Sequence, residues 1–359
     1  MPTLYVGTYT RKEPHVNGHA TGIHAYSFND VTGALNLLHI TPDVGINPSY
    51  VVGTDSTLYV VNECNDASKL LPGDETGFVT AYALSSTGHL RPISRHETGG
   101  TYSCHVALSL NGDFVSVANY NGGLSLYPVL ADGSLAPASH HCRLQGASLV
   151  HPDRQEASHI HSTVWTPTGL LAADLGTDSV VQYTLNVNKK QLEHEELISC
   201  RPGSGPRHLA LSIELGVCYV LGELDNTVGV HAFDASTGKL NLETLQTIST
   251  LPKGYEGPTA LASDIHISPT NKFVYAATRF SNTIAIYEIL PDTRLKLVDI
   301  VPTRGATPRD ILLFKDFLLV GNQDSDSLDV FHVDEDTGKI TYTGNSVECP
   351  SPSCMFIAQ

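Results

Sequence analysis

Residues 104–129 read CHVALSLNGDFVSVANYNGGLSLYPV. Residues 104–109 form a short strand of alternating character, since successive strand residues face opposite sides. Asn111-Gly112-Asp113 is a turn signal. Residues 114–119 make a second strand rich in β-branched side chains. The polar loop Tyr120-Asn121-Gly122-Gly123 leads to a third strand over 124–129, and Asp132-Gly133-Ser134-Leu135 turns toward a weaker fourth. Four short strands joined by tight turns are the unit of a β-propeller.

The same phrase recurs on both sides. One copy runs from Asn47 through residues 59–63 to 77–84. Others open on His159-Ile160-His161, Gly205-Pro206-Arg207-His208, Ser263-Asp264 and Thr307-Pro308-Arg309-Asp310. Each is followed by an apolar second strand ending in a polar residue: Asp174, Glu223, Arg279 and Asn322. The unit is roughly 45 to 57 residues long, as blades are. Gly33, Gly88, Gly238 and Gly338 each follow a threonine just before a fourth strand, where a tight turn needs positive φ. The N-terminal region supplies three strands, over 4–9, 22–28 and 35–39, and residues 353–358 supply the missing innermost one. The expectation is an all-β, seven-bladed propeller over residues 1–359, one domain, with four antiparallel strands per blade. The C-terminal strand closes the ring inside the N-terminal blade and leaves no open edge. The inserts 11–21, 64–76, 143–158 and 250–261 read as loops over one end of the disc.

Of the 359 residues, 21 are Lys or Arg and 37 Asp or Glu, a net charge of −16. That balance disfavours nucleic acid and anionic membrane as partners, because both are bound by basic surfaces. The first ten residues lack the pattern of a targeting segment, and no apolar run reaches the roughly 20 residues of a membrane span. Seven cysteines occur without a CxxC pair, and Cys104, Cys218 and Cys354 fall inside strands. They read as buried free thiols of a cytoplasmic protein. A closed ring with no free edge is expected to be a monomer.

The first strand of each blade lines the central channel, and the second runs back beside it. Residues that begin first strands therefore meet residues that end second strands at one end. The first set holds His105, His159, His161, Arg207, His208, Asp264, Arg309 and Asp310; the second holds Asn62, Glu63, Asn119, Asp174, Glu223, Arg279, Asn322 and Gln323. The opposite turns are ordinary, so this polar end is the candidate site. Many of the Asn, Gln and Asp residues there serve to bind water or neighbouring blades, with Asp174 and Asp310 as candidate inter-blade acceptors. Arg207, Glu223 and Arg279 demand partners, because an unpaired charge in a channel is costly. Arg207 and Glu223 could form a structural ion pair. His159 and His161, two apart, are expected on one face; without a third ligand they suggest a general base or hydrogen-bond donor rather than a metal site.

These segments together resemble the cytosolic seven-bladed lactonases, which include the propeller type of 6-phosphogluconolactonase and the fungal carboxy-cis,cis-muconate lactonizing enzymes. The matching stretches include residues 5–9, 118–123, His159-Ile160-His161-Ser162, Gly205-Pro206-Arg207-His208, Glu223-Leu224-Asp225-Asn226 and residues 321–326. The resemblance covers the whole chain and implies a catalytic group of His161 (or His159), Arg207, Glu223 and Arg279. His159, His105, His208, Asn119, Asp264, Arg309 and Gln323 would contact substrate. It implies no cofactor and no metal, and a small anionic lactone or carboxylate as partner. Hydrolysis of a sugar lactone such as 6-phosphoglucono-δ-lactone would need a base, either Glu223 or His161, and an arginine clamp. Muconate cyclisation would use the same groups, and a non-enzymatic scaffold is the third reading. Gly222 and Phe280 depart from the family's usual Asn and small residue, and bear on the pocket's shape.

Overall fold

The computed structural model of the chain describes residues 1–64 and 77–359. The insert read over 64–76 lies, apart from Cys64, outside the described residues. Seven four-stranded antiparallel sheets follow one another along the chain. Blade 1 pairs Pro352–Ala358, Thr3–Thr8, Ile23–Phe28 and Leu35–Thr41 in that order. Tyr5 faces Phe356 across the closing pair. Blades 2 to 7 have inner strands Tyr50–Gly53, Thr101–Leu108, Ile160–Trp165, Pro206–Ser212, Leu261–Ile267 and Pro308–Phe314. Each inner strand packs on the next, and Pro308–Phe314 packs on Pro352–Ala358, so the ring is closed. Among the described residues the helical content is one 3-10 turn, Gln323–Ser325. The insert beginning at Arg11 folds into a small hairpin of Lys12–Glu13 and Val16–Asn17.

The fourth strand of blade 3 lies later than its glycine turn suggests. Leu135 makes only a single bridge with Val129, and the strand forms at His140–Cys142. Pro137 between them lacks the N–H that a continuous ladder needs.

The apolar core is divided into seven wedges, one between each pair of adjacent blades. Alternation explains this: each twisted sheet buries both faces, one against each neighbour. Tyrosines add direction. Tyr59, Tyr219 and Tyr275 donate to carbonyls of the following blade at 2.9–3.0 Å. Tyr26, Tyr127 and Tyr287 donate to the preceding one. A buried ring thus keeps a partner for its hydroxyl. The turn glycines fit the same interfaces. Gly338 has φ +71°, and a Cβ there would come within 2.3 Å of the Phe273 ring in blade 6.

Six of the seven inner strands share one irregularity near the polar end, while Tyr50–Gly53 pairs in unbroken register. The register slips by one residue at Cys104, His161, Arg207, Ser263, Arg309 and Ser353. Such bulges redirect a side chain and break strict alternation. Here they also build a belt from blade to blade. Ser353 Oγ donates to the Ser49 carbonyl at 2.8 Å, and Ser263 Oγ to that of Pro308 at 2.6 Å. Arg207 Nη1 donates to the Ser263 carbonyl. One residue further on, Asp264 accepts the Ile311 N–H at 3.0 Å and Asp310 that of Met355 at 2.9 Å. Asp310 is therefore an inter-blade acceptor. Asp174 is not: it binds Ser158, His159, Gly176 and Thr177 within its own blade.

Candidate active site

The bulged residues His161, Arg207 and Arg309, with Tyr9, Glu63 and His208, line a cavity at the polar end of the channel. Its open volume is about 10 Å³, room for roughly one water molecule.

Glu223 follows the strand Val217–Gly222 and is 2% exposed. Arg154 Nη2 lies 2.6 Å from its Oε1, while Arg207 Nε and Arg279 Nη2 lie 2.9 and 3.0 Å from Oε2. Burial opposes its charge, but Arg279, Arg154 and Arg207 hold the carboxyl well below the usual range. Glu223 is thus a fixed anion and a poor proton acceptor. Burial presses Arg279 down to about 9 against the pull of Glu223, with Arg207, Arg309 and Arg154 adding to the pressure.

A second carboxylate, Glu63, accepts from Tyr9 Oη at 2.8 Å and Ser49 Oγ at 2.7 Å, with His15 Nε2 at 3.4 Å. Burial raises its pKa, yet His15 and Arg309 bring it to about 2. Arg309 lies 4.8 Å above the Tyr9 ring and donates to Gln323 Oε1 at 3.1 Å. Four guanidiniums facing two carboxylates leave two positive charges over, on a chain of net charge −16.

His161 is buried, and its Nδ1 has no hydrogen-bond partner among the described residues. Burial, and then Arg207, push its pKa well below 6.5, so the imidazole is neutral. The ring stands edge-on to Tyr120 at 6.0 Å and to His208 at 5.7 Å. His208 Nδ1 is 2.7 Å from Asp264 Oδ1, and its Nε2 is 3.2 Å from Arg207 Nη1. Burial and Arg207 bring His208 to about 4. The neutral ring therefore donates from Nδ1 to Asp264 and accepts at Nε2. His105 sits beside it, tilted against the Tyr50 ring at 4.3 Å, and accepts the Thr163 N–H.

His161, Arg207, Glu223 and Arg279 therefore come together, and Arg309, Gln323 and His208 adjoin them. His105 and Asp264 belong to the packed layer of the belt. Two further residues picked from the sequence, Asn119 and His159, do not reach the cavity either. Asn119 is fully buried; it accepts from Ser103 at 2.8 Å and donates to the Thr98 carbonyl. His159 is held by the Tyr120 carbonyl and Glu156, both at 2.9 Å, and stacks on the Tyr120 ring at 4.2 Å. The expected common face of His159 and His161 fails because the bulge falls on His161. Arg154 was not singled out from the sequence. It lies in a loop without periodicity, and nothing local marks it as a partner of Glu223.

Beside the cavity, a cleft of about 350 Å³ opens between the small hairpin and blades 6 and 7. Lys12, His15, Arg279, Phe280, Arg309 and Gln323 are among the residues lining it. Phe280 is 43% exposed and takes the left-handed conformation, φ +69°, rare for an aromatic residue. Gly222 has no room for a side chain, since a Cβ would lie 2.4 Å from Asp225 Oδ1. No group of three or more His, Cys, Asp or Glu among the described residues is arranged to hold a metal. Among the described residues no helix is long and apolar enough to cross a membrane.

Comparison with known proteins places this geometry. Residues 3–357 match the family described as lactonase, 7-bladed beta-propeller. The chain is 30% identical to a 6-phosphogluconolactonase of Bacillus subtilis, covering 98% of this chain and 97% of that protein. A 6-phosphogluconolactonase of Formosa agariphila is also 30% identical, over 94% of each. The solved structure of the Pseudomonas aeruginosa periplasmic gluconolactonase superposes with a TM-score of 0.88 at 33% identity, covering 100% of this chain and 99% of that one. The chain belongs to the seven-bladed β-propeller lactonase family.

Proposed function

We propose that the protein hydrolyses a sugar lactone carrying an anionic group, of the 6-phosphoglucono-δ-lactone type. The observation that carries this reading is a neutral, buried His161 with an unpartnered Nδ1, set beside three arginines gathered on one carboxylate. In the proposed reaction His161 takes a proton from water as the water oxygen attacks the lactone carbonyl. Arg207, which lines the cavity with His161, stabilises the oxyanion, donating from a site with little water to reorganise. The ring oxygen then leaves as the tetrahedral intermediate collapses and takes the proton back from His161, giving the open acid. Glu223 orients the arginines and stays ionised throughout. The identities of the curated relatives support the same class of substrate. No disulfide forms among the described residues and five of the seven cysteines are buried, which suits a reducing cytoplasm.

The test is the rate of lactone loss with purified protein, measured against the spontaneous background. Acceleration of the phosphorylated lactone is expected. Absence of any acceleration, with loss of diene absorbance on adding a carboxymuconate instead, would turn the reading toward cyclisation on the same residues.

A further inference from the structure

The cavity beside His161 holds about one water, so the lactone itself must lie above it, toward the cleft under the Lys12–Asn17 hairpin. Arg309 lines both spaces, and Arg279 joins the cleft to the Glu223 cluster. A ligand whose carbonyl faces His161 and Arg207 therefore has its far end in the cleft. That volume suits a small-molecule subsite.

The cleft is cationic where it is deepest. Arg309 and Arg279 are each 8% exposed. Arg309 forms no direct ion pair among the described residues; its contacts are Gln323 and the Tyr9 ring. Lys12 of the hairpin lines the same space, also without an ion-pair partner among the described residues. The acidic residues at the rim are already engaged. Glu13 is bound by Arg11 at 2.8 Å, and Asp324 accepts from Thr307 and from Gln323. The hairpin is held over the cleft by His15, which reaches Glu63 and stands edge-on to Tyr9 at 5.8 Å.

Resting on the lactonase reading above, we infer that this cleft is the subsite for a phosphate group distal to the lactone carbonyl. Arg309 and Arg279 bind it from the channel side and Lys12 from the hairpin. The hairpin then decides whether phosphorylated or neutral lactones are preferred. Arg279, the most crowded of the four cations, gains most from an incoming anion.

The experiment compares 6-phosphoglucono-δ-lactone and glucono-δ-lactone on wild type, Lys12→Glu and Lys12→Arg, with inorganic phosphate as competitor. Wild type is expected to favour the phosphorylated lactone through a lower KM. Lys12→Glu is expected to raise that KM about tenfold, the effect of losing roughly 1.4 kcal/mol of binding, with kcat and the gluconolactone kinetics unchanged. Lys12→Arg should restore the wild-type KM. Phosphate should compete against the phosphorylated substrate, and less well in Lys12→Glu. Equal change for both lactones, or none for either, overturns the subsite. So does a wild type that hydrolyses only the neutral lactone, although the lactonase reading then stands. A wild type that accelerates neither lactone would instead remove the activity on which the subsite depends.

Discussion

At the scale of single residues, the division of labour follows from which groups are already satisfied. Glu223 is held ionised by three guanidiniums, whereas the buried Nδ1 of His161 has no hydrogen-bond partner among the described residues. His161→Gln should keep the fold and lower kcat about 10²–10⁴-fold, the usual worth of a general base. Circular dichroism and lactone kinetics together check this. Because burial and Arg207 hold His161 neutral well below pH 6.5, kcat/KM should stay level as pH falls from 8 to 6.5 and drop only at lower pH. An inflection near 6.5 would contradict the assignment. Glu223→Gln leaves three arginines without their counter-ion. A loss of about 3–5 kcal/mol is expected in urea unfolding, since breaking a buried pair strands its charge. Arg154→Ala removes a guanidinium that is itself 37% exposed, so it should cost far less stability and raise KM instead.

At the scale of elements, the bulged inner strands do two jobs. They join blades by the belt of hydrogen bonds, and they turn side chains such as His161, Arg207 and Arg309 toward the polar end. The closing strand Pro352–Ala358 is the clearest case. It fills the innermost place of blade 1, receives Asp310 at Met355, and reaches Ser49 through Ser353. A chain ending at Ser351 would expose the strand Thr3–Thr8 and lose both neighbours. The expected outcome is loss of cooperative thermal unfolding and aggregation on expression. Recovery of wild-type kinetics by adding residues 352–359 as a peptide would show that only this strand was missing. The strand was legible in the sequence because its alternation matched a gap in the repeat. The role of Asn119 was not, since a polar residue ending a strand looks the same whether it faces ligand or a neighbouring carbonyl.

At the scale of the whole molecule, a ring of seven blades concentrates its buried charges on one axis. Asp264 and Asp310 meet there. Burial opposes both charges; His266 and His208 keep Asp264 ionised, while burial and the neighbouring Asp264 raise Asp310 well above its ordinary value. The raised group binds more protons folded than unfolded, so its contribution is full at acid pH and is lost as pH rises toward its folded pKa. Asp310→Asn removes that loss. Its stability relative to wild type should improve between pH 5 and pH 8, read from urea midpoints. Asp264 has the opposite sign: its contribution is present above the unfolded pKa and is lost on acidification. Asp264→Asn should therefore be more harmful at pH 6 than at pH 2, with little difference between pH 8 and pH 6. Blade number, blade order and ring closure were all determined by the sequence alone, because each blade is a local meander whose hairpins lie between near neighbours in the chain. So was the arginine-bearing end, since strand starts and strand ends must meet there. Tertiary structure alone decided which side chains face the cavity. A one-residue bulge sends His161 inward and leaves His159 outside, and Arg154 reaches Glu223 across 69 residues of chain. Periodicity carries no record of either, because a bulge and a long-range ion pair are settled only when the blades pack.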